Sequence, residues 1–323
     1  MRSIRGKNVL VTGGAGFIGS HLTDELLKQG ANKVVVVDNF FVGKMENLDY
    51  ALSNYDNIRV YKESAADLGA METIIKNEEI EVVYNMATMA LIYSFFNPHG
   101  AYMINVQIAD VLMNLMRNGA FKTLIHMSSS EAYGTAQYAP MDENHPMNPT
   151  TPYAAGKAAA DLLIKSFYNV YKFDITIIRP FNNYGPRQNE GNLAGIIPIT
   201  AKRILSGEKP VIEGNGEQTR DYIYVEDTVR GLILAYENGE KTQGEIINLG
   251  SGKELTIKSI IENICKYYDY KGEFDYRPER TADVKRLCAS SEKAKELLEF
   301  EPNVNFEEGI IKTLDWYEKK LRK

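Results

Sequence analysis

The chain has 323 residues, 44% hydrophobic and 25% charged, with a net charge of −6. That is ordinary globular composition, long enough for two domains or for one domain with a large annex. It offers no bulk positive charge to hold a phosphate backbone, so no nucleic acid partner is expected.

Residues Met1 to Lys7 lack a signal-peptide pattern and lead directly into a short apolar run, Asn8–Thr12. A glycine cluster follows, then a helical pattern over Phe17–Gln29. Lys33–Asp38 contains four consecutive valines, which predicts a parallel strand buried on both faces. Val82–Asn85, Thr123–Ser128 and Ile175–Arg179 read the same way. Helical periodicity lies between them at Met71–Asn77, Ala101–Asn118 and Tyr153–Tyr171. Strands spaced by helices predict an α/β fold on a doubly wound parallel sheet. After Pro180 the pattern changes. Residues 181–221 are rich in Gly, Pro and Asn, 222–250 return to strand and helix pieces ending in Ile246–Leu249, and 254–323 read as mostly helical, with amphipathic ends at Ser291–Leu298 and Phe306–Leu321. The basic residues Lys319, Lys320, Arg322 and Lys323 suit a helix C-terminus. Cys265 and Cys288 have no metal-ligand spacing and form no disulfide framework, which fits a reducing compartment and no metal. No run of about 18 apolar residues occurs, so the expectation is a soluble cytoplasmic protein without membrane contact.

The glycine cluster carries the first chemical signal. In Val9–Gly19 the glycines that matter are Gly13, Gly16 and Gly19. Gly13 permits a tight turn off the strand, Gly16 lets backbone N–H groups approach a pyrophosphate at the helix start, and Gly19 lets that helix pack close to the sheet. The motif follows a strand and opens a helix, as a dinucleotide site requires. Asp38 ends the second strand, 19 residues after Gly19. A carboxylate there accepts both hydroxyls of an adenosine ribose and repels a 2′-phosphate, which favours NAD over NADP. Asp67, after another predicted strand, is a candidate adenine contact. These signals make residues 1–180 plus about 222–253 the expected dinucleotide-binding domain. Residues 181–221 plus 254–323 form the expected smaller α/β substrate-binding domain.

Tyr153 and Lys157 stand four apart, on one face of a predicted helix. A nearby ammonium favours the phenolate, and a tyrosine so tuned can take a proton from a sugar hydroxyl while hydride leaves the same carbon. Upstream, the strand ending at Ser128 runs into Ser129, Ser130 and Glu131. The C-terminal ends of parallel strands are where open α/β sheets bind ligands. A serine there can hold the reacting hydroxyl against Tyr153.

Together these residues resemble the extended short-chain dehydrogenase/reductase family of nucleotide-sugar enzymes. The likeness rests on Gly13–Gly19, Asp38, Asn105-Val106, Ser129, Tyr153/Lys157, the run from Arg179 to Pro186 and that from Gln218 to Tyr222. It implies a Rossmann-type sheet and roles residue by residue. Ser129 matches the catalytic Ser/Thr, Tyr153 the base, and Lys157 the lysine that also grips the nicotinamide ribose. Phe17 and Ile18, Asn39 beside Asp38, Leu68 beside Asp67, Asn105, Tyr153 itself and Pro180 complete the implied cofactor set. Asn182 and Arg220 match contacts to the sugar-nucleotide diphosphate, and Arg280 and Arg286 sit near a similar one. One departure is visible: Asn85-Met86-Ala87-Thr88 stands where the family usually has a His-Leu-Ala-Ala-like stretch, and the next loop, 89–96, is slightly shortened. That loop shapes the sugar pocket. A homodimer through helices near Ala101–Asn118 and Tyr153–Tyr171 is also implied.

The shared chemistry implied by the resemblance is transient oxidation at the sugar C4. In dTDP-glucose 4,6-dehydratases the two residues after the catalytic hydroxyl are Asp-Glu, acid and base. Here they are Ser130-Glu131. Glu131 argues against a simple epimerase, whereas GDP-mannose 4,6-dehydratases, amino-sugar dehydratases and UDP-glucuronate decarboxylases resemble Ser-Glu. Dehydratase-type chemistry on a UDP-hexose or UDP-HexNAc is therefore the first reading, with Ser130 as a further catalytic candidate. A 4-epimerase, a UDP-glucuronate decarboxylase and a catalytically silent NAD-binding sensor are the alternatives. Without the acid, the substrate could also be a sugar already lacking its C6 oxygen, such as a 5,6-ene.

Overall fold

The computed structural model describes residues 1–191, 193–279 and 284–321. In chain order the elements are β1 (Asn8–Thr12), α1 (Phe17–Lys28), β2 (Lys33–Val37), α2 (Asp49–Asn54), β3 (Ile58–Tyr61), α3 (Leu68–Asn77), β4 (Val82–Asn85), α4 (Pro98–Arg117), β5 (Thr123–Met127), α5 (Pro152–Tyr171), β6 (Asp174–Pro180) and β7 (Asn182–Tyr184). Then follow α6 (Ile196–Leu205), β8 (Val211–Glu213), β9 (Thr219–Tyr224), α7 (Val225–Glu237), α8 (Gly239–Thr242), β10 (Ile246–Leu249), β11 (Glu254–Thr256), α9 (Ile257–Tyr267), β12 (Asp275–Arg277), α10 (Glu292–Leu298) and α11 (Phe306–Leu321).

Seven strands form one sheet in the order β10-β6-β5-β4-β1-β2-β3, with every neighbouring pair parallel. Strand side chains alternate between two buried faces. Val9, Val11, Val34 and Val36 join the core beneath α1 and α7, while Leu10, Val35 and Val37 join the core beneath α3, α4 and α5. Burial on both faces is why these strands read as unbroken apolar runs rather than alternating ones. The strand order reverses between β1 and β4, so the crevice for a ligand opens at their C-terminal ends.

Two long helices carry their starts in the sequence. Asn97 accepts the Gly100 N–H at 2.8 Å and Thr151 the Ala154 N–H at 3.2 Å, and Pro98 and Pro152 each take the first helical turn, where a missing N–H costs nothing. Helix α4 therefore begins three residues before the apolar periodicity does. Gly156, between Tyr153 and Lys157, lies against α4: a Cβ there would sit 2.8 Å from the Tyr102 carbonyl oxygen. Its missing side chain lets α4 and α5 approach closely.

Outside the large sheet, β9 pairs with β7 in parallel and with β11 antiparallel, and β12 pairs with β8. The segment expected to be mostly helical thus also supplies two short strands. Tyr184, Tyr222, Tyr224 and Phe306 pack ring against ring behind β7 and β9. No helix among the described residues is long and apolar enough to cross a membrane.

Candidate active site

The strand ends converge on a cavity of about 420 Å³. Gly13, Gly16, Phe17, Ile18, Gly19, Asp38 and Asn39 line one side; Ser129, Ser130, Glu131, Tyr153, Pro180 and Asn182 line the other. Gly13 has φ +66°, and a Cβ on it would lie 2.8 Å from the backbone of Ala87. A Cβ on Gly19 would lie 2.2 Å from the Gly13 carbonyl oxygen. Neither position accepts another residue without moving backbone. The Gly16 N–H turns back to Gly13 O (3.0 Å), and the first bond inside α1 is Ser20 N–H to Gly16 O (3.1 Å). The N–H groups of Phe17, Ile18 and Gly19 therefore have no partner within the helix and form a positive cradle suited to a diphosphate.

Asp38 is buried at 7% exposure, and its carboxylate accepts the Ala15 N–H (3.0 Å) and the Phe40 N–H (2.8 Å). Burial pushes its pKa up, while the two amides oppose that shift. Two backbone donors fix the carboxylate in place and leave lone pairs for ribose hydroxyls. Asp38→Asn removes the charge and is expected to weaken NAD binding by about 10- to 100-fold, the loss of a charge-assisted hydrogen bond, and to narrow discrimination against NADP. Titrating both cofactors by calorimetry measures each effect.

Asp67, Leu68 and Asn105, expected at the cofactor, are not among the residues that line this cavity. Asp67 caps α3, its side chain accepting the Ala70 N–H at 2.9 Å, and Leu68 is 49% exposed. Neither lines the cavity; Glu63, Ser64 and Ala65, nearer the end of β3, do so instead. Asn105 sits one layer behind the cavity, accepting the Thr88 hydroxyl at 2.8 Å and donating to Ala101 O at 3.0 Å. Thr88 is the residue at the wall.

Ser129 opens a tight 3₁₀ turn over Ser130–Tyr133, and its Oγ accepts the Glu131 N–H at 3.2 Å. That turn holds Glu131, which lines the cavity together with Tyr153. The Tyr153 phenol is pushed up to about 12 by burial first; the Glu131 charge adds to this, and hydrogen bonding to Ser129 and Thr88 opposes it. The expected lowering of the phenol by the Lys157 ammonium is absent. Lys157 is 3% exposed and donates from Nζ to Met127 O at 2.9 Å, just behind the cavity wall. Burial lowers its own pKa to about 8, against the pull of Asp161. The helical spacing placed the pair on one face, but burial outweighs charge pairing there.

A second cavity of about 380 Å³ opens from the first across Leu91, Glu131, Asn182, Asn183, Gln188, Leu193 and Gly195. Arg203, Gln218, Arg220 and Arg277 line its far end, and Ile92 and Phe95 of the 89–96 loop also line it. Arg220, expected at the sugar-nucleotide diphosphate, is among these lining residues. Arg286 is not: its guanidinium forks onto Glu254 (2.8 and 2.7 Å), away from both cavities. Arg280 lies outside the described residues. Sequence reasoning missed Arg203 and Arg277. The signal for Arg277 was weak, because only the pairing of β12 with β8, which sets Arg277 opposite Glu213, brings it to the wall.

A glycine-turn cradle, a buried carboxylate beside it and a Ser/Tyr pair at the strand ends define a dinucleotide-dependent α/β enzyme whose second cavity is rich in arginine. The comparisons with known proteins give it a family. Residues 10–313 match the profile described as GDP-mannose 4,6 dehydratase. The chain is 33% identical over 313 residues to the UDP-glucose 4-epimerase of Mycolicibacterium smegmatis, covering 96% of this chain and 98% of that one. Its structure is similar to that of Thermotoga maritima UDP-glucose 4-epimerase with UDP-glucose (TM-score 0.91, 35% identity, 97% and 99% of the two chains covered). It is also similar to that of a dTDP-glucose 4,6-dehydratase from Streptomyces venezuelae with NAD bound (TM-score 0.91, 27% identity, 97% of each chain covered). The chain belongs to the NAD-dependent nucleotide-sugar epimerases and dehydratases of the extended short-chain dehydrogenase/reductase family, and NAD is its cofactor.

Proposed function

We propose that the protein oxidises C4 of a UDP-hexose or UDP-N-acetylhexosamine and then removes the C5 proton, which is 4,6-dehydratase-type chemistry. Glu131 carries this reading. Of the carboxylates lining the two cavities among the described residues, it alone lines both, and it does so beside Tyr153. A carboxylate at that junction is placed to act as general base on the carbon next to the ketone. Ser129 orients the C4 hydroxyl and Tyr153 takes its proton, and Lys157 holds the nicotinamide ribose. Bound NAD supplies the hydride acceptor and, in its oxidised form, a positive ring that favours the phenolate. Arg220 and Arg277, with Asn182, hold the diphosphate. In this reading residues 1–180 and about 222–253 bind the cofactor and the remainder binds the nucleotide sugar.

One observation favours a second reading. Dehydration also needs an acid for the C6 oxygen, and Ser130, 2% exposed, stands where that acid would be. A site with one carboxylate suits a 4-epimerase, the activity named for the M. smegmatis and T. maritima relatives, or a 5,6-ene substrate whose C6 oxygen is already gone. Incubating the purified protein with NAD and UDP-GlcNAc, UDP-glucose or UDP-glucuronate decides. The expected product is a 4-keto-6-deoxy sugar; a 4-epimer alone replaces the dehydratase reading with the epimerase one.

A homodimer is part of the proposal. Helices α4 and α5 turn Tyr102 (37% exposed), Leu162 (59%), Val170 (71%) and Tyr171 (44%) outward, apolar area that a second copy would cover.

A further inference from the structure

A line of buried polar side chains crosses the sheet behind the cavity wall. Thr12 donates from Oγ1 to Asn85 Oδ1 (2.7 Å), and Asn85 Nδ2 donates to His126 Nδ1 (2.9 Å). These three stand side by side on β1, β4 and β5 in register. Because Nδ1 accepts, the proton of a neutral His126 sits on Nε2, which faces Asp161 Oδ1 at 3.7 Å. Neither of those two facing atoms has a hydrogen-bond partner, since 3.7 Å is beyond hydrogen-bond reach. The second oxygen of Asp161 accepts Ser128 Oγ–H (2.8 Å) and Arg179 Nε–H (2.8 Å). Asp161 is 1% exposed, and His126, Ser128 and Arg179 are each 2% exposed. Asp161 lies one helical turn after Lys157 on α5.

From this geometry we infer that Asp161 is a positioning residue: its carboxylate, fixed by Arg179 and Ser128, keeps the Lys157 side chain in its charged form for the cofactor. An ammonium with no countercharge sheds its proton in such a place. Asp161 is the charge acting on Lys157, opposing burial; Tyr153 lies one turn before Lys157 on the same helix, His126 of β5 is itself pushed down by the Lys157 ammonium, and α4, packed along α5, adds no charge to Lys157. Arg179 reaches it through Asp161. His126 is held neutral by burial and by the two neighbouring cations, so the cluster has one carboxylate shared by two positive charges.

The inference rests on the assignment of Lys157 to the nicotinamide ribose and not on which product the enzyme makes. Its test is NAD affinity by calorimetry across about pH 6 to 10, with unaltered protein, Asp161→Asn and Asp161→Glu. Affinity should fall as pH rises through the Lys157 midpoint. Asp161→Asn should move that midpoint down by about one to three pH units, and Asp161→Glu should return it toward the unaltered value. A uniform loss of affinity with the midpoint unmoved would overturn the inference, since a merely structural role gives that result. Should Asp161→Asn fail to fold with Arg179 left uncompensated, the double variant Asp161→Asn/Arg179→Gln removes both charges and is read in the same way. Nitrogen NMR of Lys157 Nζ in the unaltered protein gives an independent reading: an ammonium at about pH 7 supports the inference and a neutral amine there overturns it. Lys157→Met that binds NAD as tightly as the unaltered protein would remove the ribose assignment alone, because the NMR titration still reports on Asp161.

Discussion

Replacing Tyr153 by phenylalanine is expected to lower the rate of C4 oxidation by about 10²- to 10⁴-fold, the range for loss of a positioned general base. NAD binding should change little. The ring stays in the cavity wall, and what is lost is a hydroxyl beside Ser129 and Thr88. A net hydrogen bond contributes about 0.5–1.5 kcal/mol, so the melting temperature should shift by only a few degrees. Single-turnover absorbance of the reduced nicotinamide measures the chemical step apart from product release. The pH dependence has a definite sign. A phenol pushed up to about 12 is protonated at neutral pH, so the oxidation rate should rise with pH as the phenolate becomes accessible. Lys157, lowered to about 8, loses its charge over the same range. A maximum on the alkaline side of neutrality is expected, and Tyr153→Phe should flatten its rising limb. A rising limb that survives the substitution would assign the base elsewhere.

Glu131→Gln is expected to stop exchange of the sugar C5 proton with solvent deuterium, by about 10²-fold or more, while hydride transfer at C4 continues. The amide keeps the shape of the side chain between the two cavities and removes its basicity. It also removes the negative charge that helps hold the Tyr153 phenol high. The phenol should therefore ionise more readily, and the rising limb of C4 oxidation should move to lower pH. The two readouts move in opposite directions, which separates a base at C5 from a residue that only shapes the site. Deuterium incorporation followed by mass spectrometry, beside the absorbance assay, reports both. Unaltered exchange would remove Glu131 as the base.

How far the sequence carries differs from residue to residue. Gly13 and Gly19 were legible because the backbone itself demands them: their Cβ positions collide with Ala87 and Gly13 whatever else the chain does. Asp38 was legible because a buried parallel strand ends one residue before it and its crevice is set by topology. The doubly wound sheet was legible because strands buried on both faces leave long apolar runs. The reach of α4 back to Pro98 was written in Asn97 and Pro98, though apolar periodicity alone begins later.

Charged and polar side chains were harder. Asp67 looked like Asp38, an acid after a strand, and became a helix cap. Arg286 looked like a diphosphate ligand and forked onto Glu254, while Arg277 took a place at the cavity wall through the pairing of β12 with β8. The sequence by itself determined the parallel sheet, the glycine cradle, the acid at Asp38 and the Tyr153–Lys157 spacing. Each follows from local backbone geometry or from periodic burial, which a linear chain records directly. Only the tertiary structure decided where Lys157 points, that burial rather than its ammonium governs the Tyr153 phenol, and that Asp161, His126 and Arg179 meet behind it. Those outcomes depend on desolvation and on partners from separate strands, and neither is a property of any one segment.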